Sequence, residues 1–239
     1  TLVFPSLIAS DAGQYQLYVT NAGGWATSTV ASLAFATFPP ASITNSLISY
    51  WPLDGILGTK TIDLVSSYDM NLANLSGADV VAGRWGNAFQ FNGTNALLSR
   101  INTAGDALPI YQHANFTVSL WVNGQIQSDH RVFSEGSTTI GNTLFNLGTH
   151  NGGADGTLDI FIRTDGGTAS PNHAHSTGTA FDGSWHNIVY VQRDVGGGNI
   201  RAQVWIDGVL DPVAFTPVRP LSVNTTSIGG ILRAAPSAF

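Results

Sequence analysis

The chain has no cysteine and, for its 239 residues, very few charged side chains. The absence of cysteine excludes disulfides and thiol nucleophiles. Charged residues make up only 10% of the chain, with a single lysine, Lys60, and a single glutamate, Glu135. Nine Lys and Arg residues at a formal net charge of -6 leave no basic stripe that could neutralise phosphates. Nucleic acid and anionic membranes are therefore not expected partners.

Long apolar runs and paired carboxylates are also missing. No run reaches the roughly 18 to 20 apolar residues of a membrane span, and Thr1 opens no signal-peptide pattern, so we expect no membrane insertion. Glycoside hydrolysis generally uses two carboxylates, but the one glutamate precedes a Gly-Ser-Thr-Thr run that predicts a turn. Asp155 and Asp159 could form a pair, although Asp155-Gly156 is itself typical of a turn. We therefore expect no catalysis by this chain, while an accessory role in a larger enzyme stays open.

Glycine, serine, threonine, asparagine and apolar residues fill most of the chain. Hydrophobic residues make up 43%, and there are 27 glycines, which is typical of many short strands joined by tight turns. The clearest local pattern runs from Trp185 to Asp211. Two alternating runs flank a Gly-rich turn there, and the second run ends at Asp207-Gly208, which predicts a hairpin followed by another turn. The sequence predicts an all-β protein.

Four strings in the second part of the chain resemble the laminin-G-like family, whose fold is a concanavalin A-like jelly roll. They are Leu47 to Leu53, the Gly-Arg-Trp-Gly-Asn-Ala-Phe-Gln-Phe-Asn-Gly string at 83–93, the Asn-Phe-Thr-Val-Ser-Leu-Trp-Val string at 115–122, and Trp185 to Asp211. Trp85 and Asn92 depart from the family pattern. The resemblance implies an antiparallel β-sandwich over 47–239 that binds a ligand rather than transforms one. The family's closing strand does not follow 227–230, so we expect this domain to lack it.

The first part of the chain resembles a piece of another domain. An Asp-Ala-Gly-Gln-Tyr string ending at Tyr15 is similar to the corner before the penultimate strand of immunoglobulin-like sandwiches. This implies that 1–36 are the last strands of a partial Ig-like β-sandwich, joined through a linker, 37–46, that contains Pro39-Pro40. We expect an excerpt of a longer protein; the alternative is that another chain supplies the missing strands. The composition is typical of a bacterial secreted or cell-surface protein.

Alternating strands also suggest where a sugar would bind, because aromatic rings cover the apolar face of a pyranose while planar polar groups bond its hydroxyls. If the strands 157–163 and 200–207 belong to one sheet, their polar and aromatic side chains line an open groove. The expected ligand-binding residues are Asp159, Phe161, Arg163, Gln203 and Trp205. Four further tryptophans lie within the family strings and are expected in the core: Trp51, Trp85, Trp121 and Trp185.

Two kinds of metal site deserve consideration. The resemblance implies a calcium ion, for which the oxygen ligands would be Asp63, Asn92, Asn151, Asp155 and Asp159, although hydrogen-bonded turns explain the same residues. His173 and His175 could point both rings at one transition metal such as zinc or copper. Their neighbours predict a loop with solvated histidines, however, and no third ligand lies nearby in sequence.

These observations predict a non-catalytic carbohydrate-binding or adhesion module of a larger secreted or surface protein. Its partner would be a polysaccharide or a cell-surface glycan. The alternative is a structural spacer or extracellular fibre subunit assembled through exposed sheet edges. Its partners would then be other copies of itself or missing parts of the parent chain.

Overall fold

A computed structural model describes residues 13–33, 45–169 and 171–234. The chain divides into two compact units, Thr1–Ser46 and Leu47–Phe239. The strand expected at Thr1 to Leu7 and the Pro39-Pro40 part of the expected linker lie outside the described residues. The resemblance of the first unit to Ig-like domains stays a prediction.

The first unit contains two antiparallel two-stranded sheets among its described residues. β1 (Gly13–Tyr15) pairs with β4 (Ala31–Leu33), and β2 (Tyr18–Asn21) pairs with β3 (Gly24–Thr27). The sequence predicts one strand from Trp25 to Phe35, but Ser28 interrupts it. The Ser28 hydroxyl accepts the N–H of Leu17 at 3.0 Å, so the chain leaves the β2–β3 ladder there.

The second unit contains fourteen strands among its described residues. They are β5 (Lys60–Thr61), β6 (Met70–Ala73), β7 (Val80–Ala82), β8 (Asn87–Phe89), β9 (Leu97–Ile101), β10 (Phe116–Asn123), β11 (Arg131–Gly136), β12 (Leu144–Thr149), β13 (Thr157–Arg163), β14 (Ala174–Thr179), β15 (Trp185–Gly196), β16 (Asn199–Ile206), β17 (Val209–Phe215) and β18 (Thr225–Ile228).

These strands form one large and one small antiparallel sheet plus a hairpin. The eight-stranded sheet has the order β14-β13-β12-β11-β18-β9-β6-β5, the four-stranded sheet has the order β10-β15-β16-β17, and β7 pairs with β8. Two 3-10 turns, Gly77–Asp79 and Ile110–Gln112, are the only helical elements in the described ranges. The prediction of an all-β protein is confirmed. No described helix has the length and apolar character needed to cross a bilayer.

Side chains of the eight-stranded and the four-stranded sheet meet in one core, the arrangement of a β-sandwich. Leu158, Ile160 and Ile162 of β13 are buried in the same cluster as Val204 and Ile206 of β16. This agrees with the alternation of both strands, which assigns these residues to the core. The side chains between them on each strand lie on the outer face of their sheet, the face turned away from the core.

Three predicted elements differ in the structure. Leu47 to Leu53 is not a strand, because Pro52 has no N–H to donate and the Tyr50 N–H donates to the Asp63 carboxylate at 2.8 Å. The alternation of the sequence predicts a strand from Ser227 to Leu232, but β18 ends at Ile228 and the chain then turns at Gly229. Gly136, expected to begin a turn, is the last residue of β11, and Glu135 before it is fully buried.

The turn at Gly229 requires glycine for two reasons. Its φ is +81°, and a Cβ would lie 2.1 Å from the Phe91 ring. Beyond the turn the chain folds back onto β18. The Leu232 N–H donates to the Ser227 hydroxyl at 3.1 Å, and the Thr225 hydroxyl donates to the Leu232 carbonyl at 2.6 Å.

Lys60 lies in β5, at the edge of the eight-stranded sheet, and its side chain is exposed. β14 forms the opposite edge of the same sheet. The charged side chain on β5 is one of the ways in which natural proteins discourage further strand pairing at an edge.

Candidate functional site

The expected sugar-binding residues are divided between two sheets. β13 belongs to the eight-stranded sheet and β16 to the four-stranded sheet, so the condition for a single groove is not met. Phe161 and Arg163 lie on the outer face of the large sheet, where the Arg163 guanidinium donates to the Asn142 and Gly141 carbonyls. Gln203 and Trp205 lie on the outer face of the small sheet and are half-buried.

Two tryptophans expected in the core are exposed. Trp121 is 42% exposed and Trp85 is 70% exposed. Alternation along β10 turns Val118 and Leu120 toward the core, which leaves Trp121 on the outer face of the four-stranded sheet. Trp51 packs against both core clusters, as expected, and Trp185 is partly buried.

Arg84 joins these two exposed indoles. Its guanidinium carbon lies 4.7 Å from the Trp85 ring centroid and 5.4 Å from that of Trp121. Both distances are within the range of a cation–π interaction. We name Arg84, Trp85, Trp121, Gln203 and Trp205 the tryptophan face. The last three share the outer face of the four-stranded sheet, and Arg84 connects Trp85 to this face through its contact with Trp121.

The turn that carries Trp85 is held at its base by Asp54. The Asn87 N–H donates to Asp54 Oδ1 at 2.8 Å, and the Asn87 side-chain amide donates to the Asp54 carbonyl at 2.9 Å. Gly86 has a φ of +61°, and a Cβ there would lie 2.3 Å from the Asp54 carboxylate. The turn therefore presents the indole from a fixed backbone.

A second cluster lies on the outer face of the eight-stranded sheet. His175 is directly opposite Asp159 in the β13–β14 register. His175 Nε2 lies 3.2 Å from Asp159 Oδ1, and His173 Nδ1 lies 2.8 Å from Asp159 Oδ2. We name Asp159, His173 and His175 the histidine cluster. Its three ligand atoms lie within 4.8 Å of one another, so the cluster could hold a metal ion.

Two other residues expected to bind calcium, Asn151 and Asp155, lie next to the histidine cluster or to its neighbour His150. Asn151 Oδ1 lies 2.9 Å from His175 Nε2. The rings of His150 and His175 are 3.7 Å apart between centroids, and His150 Nδ1 lies 2.8 Å from Asp155 Oδ2. Asn151, Asp155 and Asp159 are thus brought together, but through imidazole rings.

Burial and neighbouring charges shift the pKa values in this cluster. Asp159 has no exposed surface, and burial raises the pKa of its carboxyl, while the bond from His173 opposes that shift. Burial lowers the pKa of His175, partly offset by Asp159. The lowered pKa favours the neutral ring, which has a nitrogen lone pair available as a ligand. Bonds from the Thr157 backbone and hydroxyl lower the pKa of Asp155.

The other expected calcium ligands, Asp63 and Asn92, accept hydrogen bonds from backbone N–H groups. Asp63 Oδ1 accepts from Tyr50 and Val65 at 2.8 and 3.0 Å. Asn92 Oδ1 accepts from the backbone of 94–96, at 3.0 Å in each case. These bonds match the interpretation of both residues as turn-forming.

Sequence reasoning missed the third member of the histidine cluster and the exposed indoles. The strand alternation contained a signal for Trp121, because its neighbours Leu120 and Val122 are the apolar members of the β10 pattern. No local signal paired Asp159 with the histidines, since that contact depends on the register between two strands.

A scan against protein-family models finds no match to this chain, and a search of curated proteins finds none either.

Proposed function

We propose that the second unit is a carbohydrate-binding module with a laminin-G-like jelly roll. In this proposal it does not itself catalyse a reaction, and it belongs to a secreted or cell-surface bacterial protein. Antiparallel sheets of eight and four strands around one core support the fold part of the proposal. The glycan partner is proposed on chemical grounds, from the side chains of the tryptophan face.

The observation that carries this proposal is the pair of exposed indoles that share one guanidinium. Arg84 covers part of each ring, yet Trp85 is still 70% exposed, so ring surface remains for a ligand. An indole can cover the apolar face of a sugar ring, while the Arg84 guanidinium can bond its hydroxyls. Covering exposed aromatic surface is itself favourable, by about 25 cal/mol per Å².

A glycan array followed by titration of the best ligand tests the proposal. We expect Trp85→Ala and Trp121→Ala each to weaken binding by about 10-fold or more, since a buried large apolar side chain contributes about 1.5–3 kcal/mol. Trp25→Ala is the matched control, because Trp25 is 69% exposed but belongs to the first unit. The proposal would be contradicted if the parent bound no glycan. It would also be contradicted if folded Trp85→Ala and Trp121→Ala bound the glycan as tightly as the parent.

In this proposal, a calcium ion would be bound only by the side-chain oxygens of Asn151 and Asp155. Two imidazoles contact Asp159, and calcium takes oxygen ligands, so the histidine cluster itself is not assigned to calcium. Repeating the glycan titration in chelator, and then with calcium chloride restored, measures any contribution of this ion to glycan binding.

A second candidate function, assembly as a structural or fibre subunit, is favoured by the described part of the first unit. Large apolar side chains are exposed there, including Leu17 at 65%, Tyr18 at 61% and Trp25 at 69%. Exposed apolar surface on short strands favours association. Concentration-dependent assembly of the whole chain, without binding to any glycan, would support this function instead.

A further inference from the structure

The histidine cluster arises from the pairing of β13 with β14. Alternate residues of an extended chain point to one side, so His173 and His175 face the same way. The register places His175 opposite Asp159, and all three donor atoms converge within 4.8 Å. The backbone hydrogen bonds between β13 and β14 determine the spacing of Asp159 and His175, and His173 immediately precedes β14.

Two of the three donor separations are close to those of a tetrahedral metal centre. Zinc bonds of about 2.0–2.1 Å imply that neighbouring ligand atoms lie about 3.3 Å apart. The carboxylate oxygens of Asp159 lie 2.8 Å from His173 Nδ1 and 3.2 Å from His175 Nε2. An ion that replaces the protons shared by these groups needs these two contacts to open by a few tenths of an ångström, and the two imidazole nitrogens lie within 4.8 Å of each other.

The donor types select among metals. Two imidazole nitrogens and one carboxylate suit zinc and related transition metals, whereas calcium and magnesium prefer sites built from oxygen. Three protein ligands leave a fourth position open. The side chains of His173 and His175 are 18% and 31% exposed, so water or a ligand oxygen can reach that position.

Neighbouring residues hold the ligands in place. The Phe161 ring stacks on His173 with centroids 4.2 Å apart, and His150 packs on His175 at 3.7 Å. Asn151 Oδ1 lies 2.9 Å from His175 Nε2, so a metal bound to this nitrogen would replace their hydrogen bond and leave the amide oxygen beside the open position. The two ring contacts fix the orientation of the imidazoles, and supporting contacts of this kind strengthen metal binding.

We infer that Asp159, His173 and His175 bind one divalent transition-metal ion of the zinc type, with a fourth position open to solvent or ligand. The position of Asp159 supports this inference, because its carboxylate has no exposed surface and lies against both imidazoles where the ion would bind. The inference goes beyond the proposed function. It involves a different sheet from the tryptophan face, and metal binding can be measured without any glycan.

Isothermal titration calorimetry on the whole chain, after treatment with a chelator, tests this inference with zinc chloride and calcium chloride in parallel. We expect one zinc ion per chain and weaker binding of calcium. Asp159→Asn, His173→Ala and His175→Ala should each weaken zinc binding by about 100-fold or more, because loss of a ligand exceeds the 10- to 100-fold effect of losing a supporting residue.

The matched control is His186→Ala. His186 also contacts two carboxylates, Asp207 through Nδ1 at 2.7 Å and Asp182 through Nε2 at 3.1 Å. These contacts lie on opposite sides of one ring and cannot converge on a single ion, so zinc binding should be unchanged.

X-ray absorption at the zinc edge of the parent protein gives a second readout that does not depend on folding of the variants. Two imidazoles in the metal's coordination shell would support the inference. The inference would be overturned if the parent bound no zinc, bound calcium as tightly as zinc, or had fewer than two imidazoles on the metal. It would also be overturned if a folded variant of the histidine cluster bound zinc with the affinity of the parent.

Discussion

Glu135, the single glutamate, has no exposed surface although it is an ionisable residue. Its Oε1 accepts the N–H of Ile110, and its Oε2 accepts the N–H of Tyr111 at 2.5 Å. Burial raises the pKa of this carboxyl to about 8, and the two backbone bonds oppose the shift. The residue therefore anchors the Ile110–Gln112 turn to β11 while favouring the protonated form near neutral pH.

This raised pKa predicts a pH-dependent contribution to stability. The pKa is 4.5 as a reference value and about 8 in the folded protein, so the folded state binds the proton more tightly than the unfolded state. The stabilising contribution is full below about pH 4.5 and is lost as the pH rises through about 8. Urea unfolding of the parent and Glu135→Gln at pH 5, 7 and 9 measures it.

Glu135→Gln removes the group that titrates, and its amide would place one N–H donor against a backbone N–H donor. We expect Glu135→Gln to lower the free energy of unfolding by about 1–3 kcal/mol at pH 5. The difference from the parent should shrink toward pH 9. A difference that stays constant over this range would contradict the raised pKa.

Individual residues also show where sequence reasoning stops. Alternation identified Leu158, Ile160 and Ile162 as core residues because burial on one face of a strand is a local property. Trp85 was misassigned, because the resemblance to a family string gave its position in the chain and not its environment. Asp159 was expected to bind a ligand, but its histidine partners come from a strand whose register is not encoded by spacing.

At the level of elements, strand positions were more predictable than strand partners. The run Thr157–Arg163 matches β13, and the Gly-rich turn joins β15 and β16 through the tight pairing of Gly196 with Asn199. The assignment of β13 and β16 to different sheets depends on long-range packing. The β13–β14 pair also carries a register shift between Thr157 and Asp159, which a regular two-residue period does not anticipate.

Asp211 links an edge strand of the four-stranded sheet to an edge strand of the eight-stranded sheet. It lies on β17, and its Oδ2 accepts the N–H groups of Thr177 and Gly178 on β14 at 2.9 and 2.8 Å. Its Oδ1 accepts the N–H of Val213 at 2.9 Å. Because Asp211 is only 5% exposed, these bonds have little competition from water.

Removing this link should destabilise the second unit. Asp211→Ala leaves several backbone N–H groups without their acceptor, and we expect the free energy of unfolding to fall by about 2–4 kcal/mol. Urea denaturation measures the change. Asp194→Ala is the control, because Asp194 accepts a local bond from Gly196 in the exposed hairpin end and should change stability by less than about 1 kcal/mol. Equal effects of the two substitutions would argue against the link between the sheets.

At the scale of the whole molecule, the division into two units indicates which part of the chain can fold independently. Both buried core clusters consist of residues from the second unit. A domain with its own core can in principle fold independently. The fold class was predictable from composition and alternation, whereas the family and the ligand rest on resemblance and chemistry.

An excised second unit, residues 47–239, should therefore keep a single cooperative thermal transition. We expect its midpoint within about 3 °C of the corresponding transition in the whole chain, since no described core residue is lost. Circular dichroism melts of the two proteins provide the comparison. A broad or much lower transition would show that the first unit is needed for stability.

Lys60 carries the only side-chain amine of the protein, and it is exposed at the β5 edge of the eight-stranded sheet. The histidine cluster belongs to β13 and the segment around β14 at the other edge. Seven strand spacings of about 4.8 Å put the two edges roughly 30 Å apart. A sensor chip or fluorophore coupled through this lysine would therefore sit far from the histidines and leave them accessible to ions in solution.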